Sequence, residues 1–393
     1  MNRVVSFCLM ALTVYCASFS TATVCHAADE PSSEQRLIGQ YLKQIKSVGK
    51  EGKNHSEAIA AMRKLSQTDI EHLPQVLAGM KNASPLAVNW IRAAVETIAQ
   101  NQADELSTAT LLKFLNDTSK DAKARTVAYE LIQGKDQELA EKQIPSFMND
   151  PSLALRRLAV TQTLDEATQL EKDEKKSGAI KQFKLALNSA RDEDQVNEAA
   201  KHLRDLGEEV DLPLQFGLIT SWQLVAPFDF ADGEGFNTVY APENEIDLSA
   251  SYQGKEIEEL KGPASWKQIE TEDEKAFVDF NEHFAAVKQV VGYAYTEFNS
   301  AEATPVEFRI SSPNGLKVWL NGKLITEQEI YHSGTTFDQY ISQAKLNQGK
   351  NSILVKIVQN AQTESWTNVW KFQLRICDSL GTAVLASDRV AAK

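Results

Sequence analysis

The hydrophobic period of this chain changes once, near residue 212, and that change demands two kinds of architecture in one molecule. From 35 to 212, apolar residues recur at steps of three and four, the spacing that gathers them on one helix face. Leu37, Tyr41, Leu42, Ile45 and Val48 form one stripe, and Ile59, Met62 and Leu65 another. Asp211-Leu212-Pro213 punctuates the change. From about Phe216 the period is two: Val306, Phe308 and Ile310 alternate with Glu307 and Arg309. Strands are expected near 217–225, 245–248, 265–268, 277–280, 288–297, 306–311, 316–320, 337–345, 352–359 and 366–377, with a short one near Val384. So many short strands over one segment read as an antiparallel β-sandwich or jelly roll. Asn321-Gly322 supplies the positive φ angles of a type I′ hairpin turn, and Gly349-Lys350-Asn351 reads as the turn into a largely buried strand.

The helical half repeats itself. Leu73-Pro74-Gln75-Val76-Leu77 leads to a second helix carrying Arg92, 111–117 leads to one carrying Arg125, and 144–150 leads to one carrying Arg157. Each unit is a helix, a polar turn and a helix that runs from Arg into small and apolar residues. Such a pair cannot bury its apolar face alone, so neighbours stack into an α-solenoid. The arginines are expected to form a ladder to acidic or carbonyl groups of the next repeat, or else a ligand-facing row. After the solvated run 171–176, Ala179, Phe183, Ala186 and Leu187, then Ala199, Ala200 and Leu203, suggest one tetratricopeptide-like helix pair. The expected segments are a signal peptide at 1–27, a lead-in and first helix at 28–54, helical repeats at 55–165, the helix pair at 166–212 and the sandwich at 213–393.

Export is expected from the N-terminus: Arg3, an apolar run at 4–14, and Cys25-His26-Ala27 as an imperfect cleavage site. The apolar run is too short to span a bilayer, and no transmembrane segment is expected elsewhere. Three of the four cysteines lie in that leader, so the exported chain would hold Cys377 alone and no internal disulfide. Cys377 reads as a buried small hydrophobe or as an intermolecular partner. With 54 acidic against 41 basic residues, net charge −13, nucleic acid is a poor partner.

Ser221-Trp222-Gln223-Leu224-Val225-Ala226-Pro227-Phe228, Lys317-Val318-Trp319-Leu320-Asn321-Gly322-Lys323 and Gly349-Lys350-Asn351 together carry a family resemblance. The chain resembles exported bacterial HEAT-repeat proteins that end in a galactose-binding-like jelly roll, although Ala226 stands where the family form has glycine. The helical repeats resemble HEAT units over 55–165 at a shorter period, and ankyrin-length or generic helical pairs fit the same spacing. The resemblance implies an armadillo-like helical region followed by the jelly roll. Carbohydrate binding is implied only by analogy of fold.

No HExxH, GxSxG, phosphate-loop or dinucleotide motif occurs, and His55, His72, His202, His283 and His332 lack metal-ligand spacing. Tyr331-His332-Ser333-Gly334 with Asp338 holds the residue types of a hydrolytic triad, but neighbouring side chains on an extended loop diverge. His332, Asp338 and Gln339 are better read as ligand-facing polar groups. For stacking on a sugar face, Trp266, Trp366, Trp370, Tyr331 and Tyr340 are the candidates, with Trp366 foremost, while Trp222 and Trp319 read as core. Asp229, Asp232 and Glu234, spaced by glycines, could hold a structural Ca²⁺, which prefers six to eight oxygens; no other cofactor is expected. The expected function is a non-catalytic exported binding or scaffold protein, with protein partners on the solenoid and a ligand on the sandwich. A carbohydrate-binding protein is the first alternative and a hydrolase with an unfamiliar site the second.

Overall fold

The computed structural model describes residues 31–258, 260 and 262–389. The expected signal segment, with Cys8, Cys16 and Cys25, lies outside the described residues. Helices come first and antiparallel sheets follow, as the change of period demands. Among the described residues no helix is long and apolar enough to cross a membrane. The chain divides into two compact units between Leu106 and Ser107.

The first unit holds α1 (Ser33–Lys46), α2 (His55–Leu65), α3 (Leu73–Ala78) and α4 (Pro85–Asn101). Local chemistry sets the helix starts. Ser32 and Gln35 form a reciprocal capping box on α1, and Ser84 caps α4 with Pro85 in its first turn. Ile38, Ile45, Leu65, Leu77, Ile91 and Ile98 form the buried faces.

The second unit begins with α5 (Thr108–Leu115), α6 (Ala122–Lys135), α7 (Gln137–Glu141), α8 (Leu153–Lys172), α9 (Lys176–Ser189), α10 (Glu193–Asp205) and α11 (Leu212–Phe216). Asp121 caps α6 and Ser152 caps α8. Counting from those caps corrects the expected arginine ladder. Arg125 is the fourth residue of α6, and the fourth residue of α8 is Arg156, not Arg157. Arg125 and Arg156 are buried, whereas Arg157 is exposed and pairs with Asp192 and Asp194. The sequence Arg156-Arg157 offered two choices, and the helix cap decides between them.

The strands are β1 (Ser221–Asp229), β2 (Ser251–Tyr252), β3 (Ala264–Ser265), β4 (Lys267–Glu270), β5 (Val278–Asp279), β6 (Val290–Ser300), β7 (Thr304–Ser311), β8 (Gly315–Leu320), β9 (Lys323–Gln328), β10 (Tyr340–Leu346), β11 (Gly349–Gln359) and β12 (Lys371–Cys377). One sheet runs β4-β1-β6-β11-β8-β9 and the other β10-β7-β12-β5, with β2 and β3 as a separate pair. The two larger sheets share one core: Trp222, Val318, Val355 and Ile357 from the first meet Phe308, Ile310, Phe372 and Leu374 from the second. Cys377 is buried on β12, and burial raises its thiol pKa, so intermolecular pairing is closed to it.

The strand expected at 245–248 is absent, and the one expected at 366–377 starts only at Lys371. Residues 245–248 follow a single helical turn, α12 (Ala241–Asn244), and Trp366 lies in a 3-10 turn, Ser365–Thr367. Strand β9 was not expected. It is an exposed edge, so its sequence lacks the apolar alternation of a half-buried strand. The two turn motifs prove to be one device. Asn321 (φ 52°) and Gly322 (φ 75°) make the β8–β9 turn. The Asn321 amide then donates to Asn351 Oδ1 at 2.9 Å, while buried Asn351 Nδ2 donates to the carbonyls of Asn347 and Gly349.

The outer face of the six-stranded sheet is covered by the segment between β1 and β4. Phe230, Phe236 and Ala264 pack there on Val225, Tyr293, Leu354 and Val358. Trp319 belongs to this face, half-buried, rather than to the inner core expected for it. It alternates with Val318 and Leu320, which point inward.

Candidate functional site

The strand ends carry a loop whose tip is an exposed tryptophan. Trp366 is 62% exposed. Its loop, 360–370, is fixed by the buried side chains of Gln359 and Asn314 and the half-buried ones of Asn281 and Lys288 rather than by strand pairing. Gln359 Nε2 donates to the carbonyls of Thr367 and Val369 at 3.0 and 3.2 Å. Asn314 Nδ2 donates to Val369 at 2.9 Å, and Asn281 Nδ2 to Asn368 at 2.7 Å. Lys288 Nζ reaches Thr367 Oγ1 at 2.8 Å, and burial lowers the lysine's pKa against the opposing pull of Glu364. Thr367 Oγ1 lies 2.7 Å from the Glu364 carbonyl and closes the turn. Asn281 Oδ1 has no hydrogen-bond partner among the described residues, but the donors above together fix the loop's backbone carbonyls.

His332 stands beside Trp366, the rings edge-to-face with centroids 5.5 Å apart. Its backbone is left-handed, φ 57°, and its N–H donates to the Pro313 carbonyl. Asn360 Oδ1 accepts from the Gln362 N–H at 3.2 Å and lies 2.9 Å from His332 Nε2. The amide oxygen therefore faces the ring, which assigns the imidazole proton to Nε2 and leaves Nδ1 an acceptor. Tyr331, the preceding residue, lies against Gly315, where a Cβ would come 3.0 Å from its ring. Its buried hydroxyl has no hydrogen-bond partner among the described residues, and burial pushes its pKa up to about 12.

The other expected site residues go elsewhere. Trp370 is fully buried, stacked on Phe280 with centroids 4.6 Å apart, and its Nε1 donates to the Ile357 carbonyl. No surface ligand reaches it, and its expected ligand role is corrected to core packing. Asp338 is clamped by Arg375, through Nε at 2.7 Å and Nη2 at 2.6 Å, and by Arg309 Nη1 at 2.6 Å. That cluster ties β7 and β12 to the loop before β10, so Asp338 does not join Trp366. His332, Ser333 and Asp338 share no hydrogen bond with one another; the Ser333 hydroxyl lies 2.9 Å from Gln339 Nε2.

The expected calcium set also separates. No group of three or more His, Cys, Asp or Glu side chains among the described residues is placed to hold a metal ion. Asp229 pairs instead with Lys255 at 3.3 Å, and its carbonyl accepts the Tyr240 hydroxyl. Asp232 and Glu234 are exposed. The glycines serve packing: a Cβ at Gly235 would come 2.6 Å from the Phe230 ring.

Sequence reasoning missed the residues that build the loop, namely Gln359, Asn314, Asn281 and Lys288. A polar side chain inside an apolar strand run, as Gln359 is at the end of β11, was the available signal. A cleft of about 590 Å³ lies elsewhere, lined in part by Arg204, Glu270, Glu272, Thr296 and Arg389, and includes no expected site residue.

No family model matches the chain, and no curated protein matches it. Among solved structures, a β-glucosidase from Kluyveromyces marxianus is 15% identical over 23% of this chain and 11% of that one, TM-score 0.19. A family 35 carbohydrate binding module from Clostridium thermocellum is 14% identical over 23% of this chain and 72% of that one, TM-score 0.17. A β-glucuronidase of an uncultured Clostridium sp. is 12% identical over 41% of this chain and 29% of that one, TM-score 0.24. These likenesses are partial in extent and low in score, and no family is assigned to the chain from them.

Proposed function

We propose that this is an exported, non-catalytic binding protein whose sandwich recognises a carbohydrate through Trp366. The observation that carries the reading is an exposed indole on a loop already held in shape by buried hydrogen bonds. A pyranose ring presents an apolar C–H face that an aromatic side chain covers, and a prearranged loop loses little conformational entropy on binding. Polar groups that could meet the sugar hydroxyls stand near it: His332 Nδ1 as acceptor, and the Gln362 amide. The jelly-roll resemblance agrees with this use of the strand ends. The lack of any hydrogen-bonded His–Ser or His–Asp pair at 331–338 supports a role in contact rather than bond cleavage. We also read the helical pairs as a solenoid that meets a protein partner, with pull-down by the full chain from envelope extract as its test.

A glycan array of the full chain tests the carbohydrate reading. Trp366→Ala is expected to weaken retained glycans by about 2 kcal/mol, roughly thirty-fold, as for a central aromatic contact. Being exposed, the same change should move stability by no more than about 0.5 kcal/mol. An array with no sugar bound, or binding unchanged in the variant, removes the proposal.

A further inference from the structure

The two larger sheets end in four edge strands, and three of these are blunted. The β8–β9 register slips between Val318 and Trp319, and β9 carries Lys323 and Glu327. Strand β4 has four residues, with Lys267 at one end and Glu270 at the other. Strand β5 has two. Short length, bulges and charges keep a sheet edge from pairing with another chain. Strand β10 is different. It ends the four-stranded sheet, and all seven of its residues pair in unbroken register with β7, from Tyr340 opposite Ile310 to Leu346 opposite Thr304. Tyr340-Ile341-Ser342-Gln343-Ala344 carries neither charge nor proline, on a chain of net charge −13. Its backbone groups on the side away from β7 have no hydrogen-bond partner among the described residues. Ile341, Gln343 and Lys345 are exposed, Ile341 by 54%.

An open edge accepts another strand, and the charge along this one selects which. A strongly charged peptide finds no ion-pair partner from Tyr340 to Ala344, whereas a second copy brings the same neutral run. A two-fold axis beside β10 sets two copies antiparallel, the sense in which β10 already meets β7. Full overlap then places Gln343 opposite its own mate, Ser342 opposite Ala344 and Ile341 opposite Lys345. The aliphatic stem of each lysine covers the exposed Ile341 of the other copy. The two Gln343 amides face each other, donor to acceptor. The two Lys345 residues stand four positions apart along the strands, roughly 14 Å, beyond the screening length of about 8 Å in physiological salt. No like charges meet in this register.

We propose that two copies of this chain join β10 to β10 and make one continuous sheet of their two four-stranded ones. This edge shares no residue with the Trp366 loop and does not depend on the sugar reading. Sedimentation equilibrium of the full chain is expected to show a reversible monomer–dimer equilibrium. Gln343→Glu sets two carboxylates face to face and should weaken the dimer at least about ten-fold. Gln343→Lys should do the same. Glu307, the neighbour of Gln343 on β7, is already paired with Arg309, so the fold should tolerate either charge. An equal mixture of the two variants should restore association, because unlike charges then oppose each other. Lys323→Glu, on the β9 edge, should leave the dimer unchanged. A chain that stays monomeric at every concentration overturns the proposal. So does a dimer indifferent to both Gln343 variants, a mixture that fails to associate, or a dimer that Lys323→Glu disrupts.

Discussion

Arg125→Ala is expected to destabilise the second compact unit by about 3–5 kcal/mol, the scale for breaking a buried ion pair on one side. Arg125 is 1% exposed, and its guanidinium joins three structural pieces: the end of α5 through the Leu115 carbonyl, its own helix α6, and the turn before α8 through Asp150. Asp150 Oδ1 also accepts the Ser152 N–H at 2.7 Å, and Ser152 caps α8. Removing the arginine leaves a buried carboxylate with one backbone donor and loosens the start of the next helix. The comparison that isolates burial is Arg157→Ala. Arg157 pairs with Asp192 and Asp194 in the open, holding the Asp194 pKa down to about 2, and exposed pairs contribute about 0–1 kcal/mol. Urea unfolding of both variants checks the contrast, and equal losses would contradict it.

Lys356→Met is expected to be comparably severe, about 3–5 kcal/mol by the same argument. The Lys356 side chain is fully buried beneath the segment that covers the six-stranded sheet. Its ammonium donates to the carbonyls of Phe236 and Thr238, at 3.1 and 2.7 Å, and to Glu243 Oε1 at 2.9 Å, so all three protons are used. The rings of Tyr240 and Tyr293 lie 5.0 and 5.8 Å from the charge, and the Tyr293 hydroxyl donates to the same Glu243 oxygen. Burial lowers the Lys356 pKa, with Glu243 opposing it. Methionine keeps the apolar stem but leaves Glu243 short of a cation and two carbonyls without donors. Amide exchange should therefore quicken across 230–246 while the inner core stays protected. Uniform exchange across both regions would show that the lysine is not the fastening point. Glu243→Gln, which keeps an acceptor in place, should cost less, about 1–3 kcal/mol.

The parts legible in the sequence were those governed by local rules. The change of period marked where helices give way to strands, and Asn321-Gly322 marked a hairpin because those residues tolerate best the positive φ angles that such a turn requires. What escaped depended on partners distant in sequence. Three arginines at similar spacing looked equivalent, yet Arg125 is sealed against Asp150 and Arg157 lies in solvent, because the caps at Asp121 and Ser152 set which residue turns inward. Trp366 and Trp370 share a polar stretch, and composition cannot separate them. The loop closed by Thr367 turns Trp370 onto Phe280 and leaves Trp366 outside. Asp229, Asp232 and Glu234 are near neighbours in sequence, but metal binding needs convergence in space, and Asp229 pairs with Lys255 instead. Strand β9 carries little signal because an edge strand has little to bury.

The chain contains six tryptophans, so its indole N–H resonances give six probes of where a sugar sits. The most direct measurement is a nitrogen-edited NMR titration of the full chain with a panel of soluble disaccharides. The indole signal of Trp366 should shift alone, with those of Trp222 and Trp370 unmoved in the core. A shift at Trp266 or Trp319 instead would put recognition on the outer sheet face, and no shift at any indole would leave the loop end without its proposed ligand.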